Sequence, residues 1–175
     1  MLRGTMWTRA RVGLGVLALA MVAAGCAPSR LETYEALRFD EASKVVETQE
    51  NLEVLETLNA YKKALESLDL RTLEGLAADG YYENAGTTDT TSDDYGTTSL
   101  PGVLQRLGDA LKSLSFDIVV KDMRVDGDRA WVVFEYVWNY RYEVEGTPRW
   151  EAGRDVNRMD LSRDRGGLWK ISRGM

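Results

Sequence analysis

Histidine is absent from this 175-residue chain, cysteine occurs once and proline three times. Without histidine there is no imidazole base, no Ser-His-Asp arrangement and little scope for a zinc site. A single cysteine, Cys26, excludes an internal disulfide. Positive charge is in the minority, with 22 Lys and Arg against 28 Asp and Glu, a formal net charge of -6. An acidic chain is poorly suited to nucleic acid or an anionic lipid surface, because phosphate contacts need clustered cations. Internal repeats and low-complexity tracts are also missing. Any chemistry must come from carboxylates, tyrosines, Lys or Arg, and no cofactor or metal is expected.

What is present describes an ordinary folding globule, 44% hydrophobic and 29% charged, long enough for one domain with short appendages. The first segment is a different matter. Arg3, Arg9 and Arg11 precede an apolar run from Val12 to Ala24, too short for a comfortable membrane span. Small residues, Ala23-Ala24-Gly25, then stand directly before Cys26. Basic, apolar, then small is the layout of an export signal. Residues 1–25 are therefore read as a signal peptide, 26–43 as a tether and 44–175 as the folded domain. Leu31, Tyr34, Leu37 and Phe39 in the tether could continue as a helix.

Lys44 to Leu68 has apolar residues at helical spacing, uninterrupted by Gly or Pro. A coiled coil would need more heptads, so a helix lying on a sheet is expected. Asp69 is placed to cap a second short helix, Leu70 to Ala78. Gly80 to Asn84 reads as a short strand or bend. Ala85 to Ser99 reads as a loop carrying Asp89, Asp93 and Asp94. These acids are hard oxygen donors of the calcium type, but they lack the Gly and distal Glu of a helix-loop-helix calcium site, so a solvated acidic loop is expected, with a lid over the cone mouth as the alternative. Pro101 opens a third helix with Val103, Leu104, Leu107, Leu111 and Leu114 on its face.

From Phe116 the period becomes two. Asp126-Gly127-Asp128 marks a hairpin, Ala130 to Val144 a long strand, Trp150 to Leu161 another and Leu168 to Ile171 the last. One face of the long strand carries Val132, Phe134, Tyr136, Trp138, Tyr140 and Tyr142. Burying such rings is the default, yet each phenol needs a hydrogen-bond partner, and a partly open pocket would supply one. The other face, with Trp131, Val133 and Val137 among polar residues, suits packing on a second copy. The expected architecture is α+β: three N-terminal helices on a strongly curved antiparallel sheet, forming a cone with a pocket.

The helix phrase Ala60 to Asp69, then Leu73, Leu76 and Tyr81-Tyr82, resembles the opening of the nuclear-transport-factor-like superfamily, which includes the SnoaL-like cyclases and ketosteroid isomerases. The ending, Asp155 to Leu161 with Gly167 to Ile171, is similar to the last hairpin of those cone-shaped domains. Tyr81 to Thr87 with Asp93 to Gly96 looks like a group of exported bacterial members. Val22 to Cys26 resembles a bacterial lipobox, with Ala23 where Leu is commonest. That resemblance implies cleavage before Cys26, a lipid anchor on its sulfur and residence in the cell envelope, on the periplasmic side of the outer membrane; an ordinary secretory cut or a short uncleaved anchor are the alternatives.

The isomerase relatives use a carboxylate base and a tyrosine donor. Glu83 and Asp155 are the matching residue types here, with Tyr81, Tyr82, Tyr136, Trp138 and Tyr140 as pocket residues. The competing expectation is that Glu83 and Asp155 pair with Arg141, Arg154 or Arg158. Three functions follow: a lipid-anchored domain binding a small hydrophobic ligand without catalysis; a carboxylate and tyrosine isomerase, dehydratase or cyclase; or a structural module dimerising through its sheet face. The binding domain is the preferred expectation.

Overall fold

The computed structural model describes residues 37–84 and 91–175. The signal-like segment, Cys26 and Asp89 lie outside those residues. Three helices lie against a five-stranded mixed sheet: β1 (Leu37–Phe39), α1 (Gln49–Ser67), α2 (Leu70–Leu76), β2 (Tyr82–Glu83), β3 (Tyr95–Gly96), α3 (Leu100–Ala110), β4 (Leu111–Asp126), β5 (Arg129–Val144), β6 (Thr147–Arg163) and β7 (Trp169–Arg173). The sheet order is β1-β4-β5-β6-β7, and β2 pairs with β3 as a separate ribbon.

Two expectations are corrected by this arrangement. The sheet is not wholly antiparallel, because Leu37–Phe39, inside the stretch read as a tether, pairs parallel with Ile118–Val120. Leu37 is buried there, and its three-residue spacing from Tyr34 mimics a helix only until the edge of β4 is in place. Nor do the helices simply precede the strands. β1 comes before α1, and the β2–β3 ribbon separates α2 from α3.

Helix α1 starts later than its apolar spacing suggests. The Thr48 side chain accepts a hydrogen bond from the Asn51 N–H at 3.1 Å, a capping contact that fixes the first turn. Val46, outside the cap, is exposed. Leu52, Leu55, Leu58, Tyr61 and Leu65 bury the inner face. At the other end Leu68 adopts a left-handed conformation (φ 52°), and the next residue, Asp69, caps α2 through the Thr72 N–H at 3.1 Å. Helix α3 ends at Ala110, so Leu111 and Leu114 belong to β4. Their spacing from Leu107 is helical, but pairing of Leu111 with Tyr142 and Leu114 with Tyr140 decides their conformation.

The meander has matching periods. β5 faces β4 on one side and β6 on the other throughout its length. Gly127 at φ 58° and the pair Glu145 (φ 51°) and Gly146 (φ 77°) make the two tight turns. A bulge between Val120 and Asp122 moves the inward set from Phe116, Ile118 and Val120 to Met123. The extra residue, Lys121, reaches Asp40 at 3.2 Å and Glu135 at 3.0 Å, and Glu135 also meets Arg154 at 3.2 Å. Beyond the short β1, the free edge of β4 is closed from α1: Glu66 accepts the Phe116 N–H at 3.0 Å and is held by Lys62 at 2.7 Å.

Candidate functional site

Side chains alternate along β5, so one face carries Ala130, Val132, Phe134, Tyr136, Trp138, Tyr140 and Tyr142 toward the helices. The first three are buried among Val120, Met123, Met159 and Leu161. Beyond Tyr136 the strands outrun α1, and a cavity of about 770 Å³ opens. Tyr61 and Leu65 of α1 and Leu73 of α2 line its inner end, and Leu100, Leu104 and Leu107 of α3 one side. Opposite stand Leu111, Leu114 and Phe116 of β4 with Trp138, Tyr140 and Tyr142 of β5. Glu143 and Glu151 supply the two carboxylates of the lining. The size and the mostly apolar wall match a small-molecule cleft.

The β5–β6 register explains the aromatic wall. Trp138 lies opposite Gly153, and a Cβ at Gly153 would stand 2.4 Å from the indole. The glycine therefore lets the ring lie flat across β6. Tyr140 stacks on that indole, with centroids 5.1 Å apart and planes at 17°. Its hydroxyl donates to Glu151 Oε2 at 2.7 Å. That hydrogen bond, then partial burial, raises the Tyr140 pKa, because the carboxylate disfavours a phenolate. Burial also raises the pKa of Tyr61, on the cavity wall.

The structure spreads the candidate residues over different places. Trp138 and Tyr140 line the cavity. Tyr136 packs between Phe116 (5.1 Å) and Phe134 (6.1 Å) at the boundary of cavity and core. Tyr81 is buried in the core cluster, with its pKa raised mainly by burial, and it shares a hydrogen bond with Tyr95. Tyr82 is exposed, and its hydroxyl donates to Asp94.

Glu83 acts on the chain itself. Its Oε2 accepts the Gly174 N–H at 2.7 Å and lies 3.5 Å from the Tyr81 hydroxyl, while Oε1 accepts the Asn84 N–H at 3.1 Å. Asn157 Nδ2 donates to the Gly174 carbonyl at 3.0 Å. Gly174 (φ 84°) has no room for a Cβ, which would meet the Arg158 carbonyl oxygen at 2.3 Å. This clasp sets Met175 into the cavity wall.

Asp155 faces the same side as Tyr136, its partner across the strands. It is exposed, and its Oδ1 accepts the Val156 N–H at 2.7 Å. The expected pairing of Glu83 and Asp155 with arginines is not what forms. Arg154 pairs with Glu135 at 3.2 Å and Arg158 with Asp160 at 2.8 Å, both on the outer face. The reason is parity: Arg154 and Arg158 are odd numbers of residues from Asp155, so strand alternation turns them away from it.

The sequence alone does not place Tyr95, Gly153, Glu151 or Met175 at this site, and it sets Leu111 and Leu114 on a helix where the structure has a strand. Gly153 and Glu151 were findable once Trp138 and Tyr140 were set against β6, which requires the register. Among the described residues no group of three or more His, Cys, Asp or Glu is placed to hold a metal. No helix there is long and apolar enough to cross a membrane.

Helices laid across one half of a mixed sheet, with an apolar cavity under the other half, define a class of small pocket-bearing α+β domains. Solved structures of similar fold include two described as NTF2-like and one described as ketosteroid isomerase-like. A ketosteroid isomerase-like protein from Erwinia carotovora atroseptica matches with TM-score 0.58 and 16% identity, over 73% of this chain and 95% of that one. A candidate dehydratase of the NTF2-like family from Streptomyces avermitilis matches with TM-score 0.55 and 16% identity, over 70% of this chain and 91% of that one. A nuclear transport factor 2 (NTF2-like) superfamily protein from Salmonella enterica matches with TM-score 0.53 and 13% identity, over 70% of this chain and 86% of that one. At such identities the likeness establishes the fold alone. No family model and no curated protein matches the sequence.

Proposed function

We propose that this domain binds a small hydrophobic molecule with one polar end, in the cavity between α3 and the far halves of β4 and β5. The supporting observation is the composition of that cavity. Leucines and aromatic rings bound about 770 Å³, and the Tyr140–Glu151 pair at 2.7 Å supplies a hydroxyl and a carboxylate on its wall. An apolar body would take the place of water against the leucines, while the polar end meets Tyr140 or Glu151. Indole fluorescence tests the proposal. A steroid, a long-chain alcohol and an aryl ketone are titrated into the native chain and into Trp138→Phe. Saturable quenching that is lost in Trp138→Phe and weakened by the cavity-filling Leu104→Trp supports it. Quenching that neither substitution changes would sink it.

A second reading makes the same cavity catalytic. It is favoured by the Tyr140–Glu151 pair, since a hydrogen-bonded phenol and carboxylate can pass a proton to a substrate atom. Structural neighbours carrying isomerase-like and dehydratase names lend it further support. In this version Glu151 is the base and Tyr140 the hydrogen-bond donor. Turnover of an enone or a β-hydroxy ketone that disappears in Glu151→Gln while binding persists would establish catalysis. Loss in Glu83→Gln or Asp155→Asn instead would move the base to those residues.

We also propose that the domain is held in the cell envelope by a lipid on Cys26. The support is the order of basic, apolar and small residues before the chain's one cysteine. Intact mass of the mature protein from its native host tests it. A chain beginning at Cys26 with added acyl mass is expected, and a free thiol there excludes the anchor.

A further inference from the structure

On the opposite face of the sheet, around Trp131, lies a second cavity of about 670 Å³. The ladder puts three arginines about this indole. Arg124 is its partner on β4, Arg129 precedes it by two residues on β5, and Arg158 of β6 lies one step along, opposite Val133. All three line the cavity. The Arg158 guanidinium sits over the indole, 5.0 Å from its centroid. Its Nε donates to Asp160 at 2.8 Å, which orients the group on the wall of the cavity. Arg124 and Arg129 are exposed and make no ion pair among the described residues.

This concentration of positive charge is out of keeping with a chain of net charge -6. The two acids in the lining, Asp126 and Asp160, balance only part of it. One guanidinium is held flat by a carboxylate and a ring, and two more flank the same ring. That arrangement suits an anion with several oxygens better than a single carboxylate, because each guanidinium fork can meet its own pair of oxygens. We propose that the Arg124–Arg129–Arg158 cluster around Trp131 is a binding site for a phosphate group, separate from the hydrophobic cavity. The phosphate can belong to a soluble phosphate ester or to a lipid headgroup, and both present the same oxygens to the site.

The test uses the full chain in detergent micelles and calorimetric titration with inorganic phosphate and with acetate. Saturable phosphate binding, weaker acetate binding, and a loss of about ten-fold or more in Arg124→Gln/Arg129→Gln are expected, from the usual strength of charge-assisted hydrogen bonds. Both side chains are exposed and unpaired, so the melting temperature of the double variant should match that of the parent. In a second arm the same titration uses short-chain phosphatidylglycerol and short-chain phosphatidylcholine in the micelles, so that the proposed acyl anchor contributes equally to both. Phosphatidylglycerol binding that exceeds phosphatidylcholine binding and fails in the double variant assigns the phosphate to a lipid headgroup. Binding of inorganic phosphate without that preference assigns it to a soluble ester. The absence of saturable binding to phosphate and to phosphatidylglycerol alike, or binding that the double variant leaves unchanged, overturns the proposal. Leu104→Trp should leave phosphate binding intact, so failure of the hydrophobic-ligand reading would not be mistaken for failure here.

Discussion

The two halves of β5 use the same alternation for opposite ends. From Ala130 to Phe134 the inward side chains are aliphatic or purely hydrocarbon, and they are sealed against β4, β6 and α1. From Tyr136 to Tyr142 the inward rings carry polar atoms, and they are only half-buried. Periodicity is identical in both halves. What differs is the cover, since α1 packs on one half while α3 stands off the other across the cavity. A hydroxyl in the sealed half would need a buried partner, whereas in the open half Tyr140 finds Glu151 and the cavity itself.

The largest effect should separate the halves by stability. Phe134→Ala removes a fully buried ring and should cost about 3–5 kcal/mol in urea unfolding. Tyr142→Ala, in the open half, should cost less than about 1 kcal/mol. Equal costs would erase the distinction. Next in size is Gly153→Ala, whose Cβ would collide with the Trp138 indole. Displacing that ring should cost about 1–3 kcal/mol and shift its emission, while the sealed half stays intact by amide exchange. Unchanged emission would mean that Gly153 does not set the wall.

Tyr140→Phe is the gentler test. Losing the hydrogen bond to Glu151 should change stability by about 1 kcal/mol at most, and it should weaken ligands bearing a polar end more than plain hydrocarbons. A uniform loss would make the ring alone responsible.

The smallest effect concerns pH and the outer face. Hydrogen bonds from the Ala42 N–H and then from Lys121 hold Asp40 below its ordinary 3.8, and Lys121 holds Glu135 below 4.5. Groups with depressed values stabilise the fold above their unfolded pKa, and that contribution fades as pH falls through the lower folded values. Lys121 itself is raised above 10.5, chiefly by Glu135, so its contribution fades as pH rises through the raised value. Lys121→Met should flatten both limbs of the stability-pH curve slightly, because the network is half-exposed. An unchanged acid limb would show that these contacts do not persist in solution.

Much of the fold was legible in the chain. The hairpin glycines, the inward set of β5 and the inner face of α1 follow from local periods of two and of three to four residues. The boundaries at Thr48 and Ala110 were less so, since Val45 keeps the helical spacing before α1 begins and Leu111 keeps it after α3 has ended. The site was legible only in part. Trp138 and Tyr140 announce themselves by alternation, but Glu151 and Gly153 become partners only through register, and Met175 only through the Glu83 clasp.

Alternation and spacing determined by themselves which side chains share a face, because a strand or helix repeats its direction every few residues whatever surrounds it. The tertiary structure alone decided that Leu37–Phe39 joins the sheet, that Glu83 clasps Gly174, and that half of one strand borders a cavity. These depend on pairings between residues far apart in sequence, and local preference carries no information about which distant edge or carboxylate a group will meet.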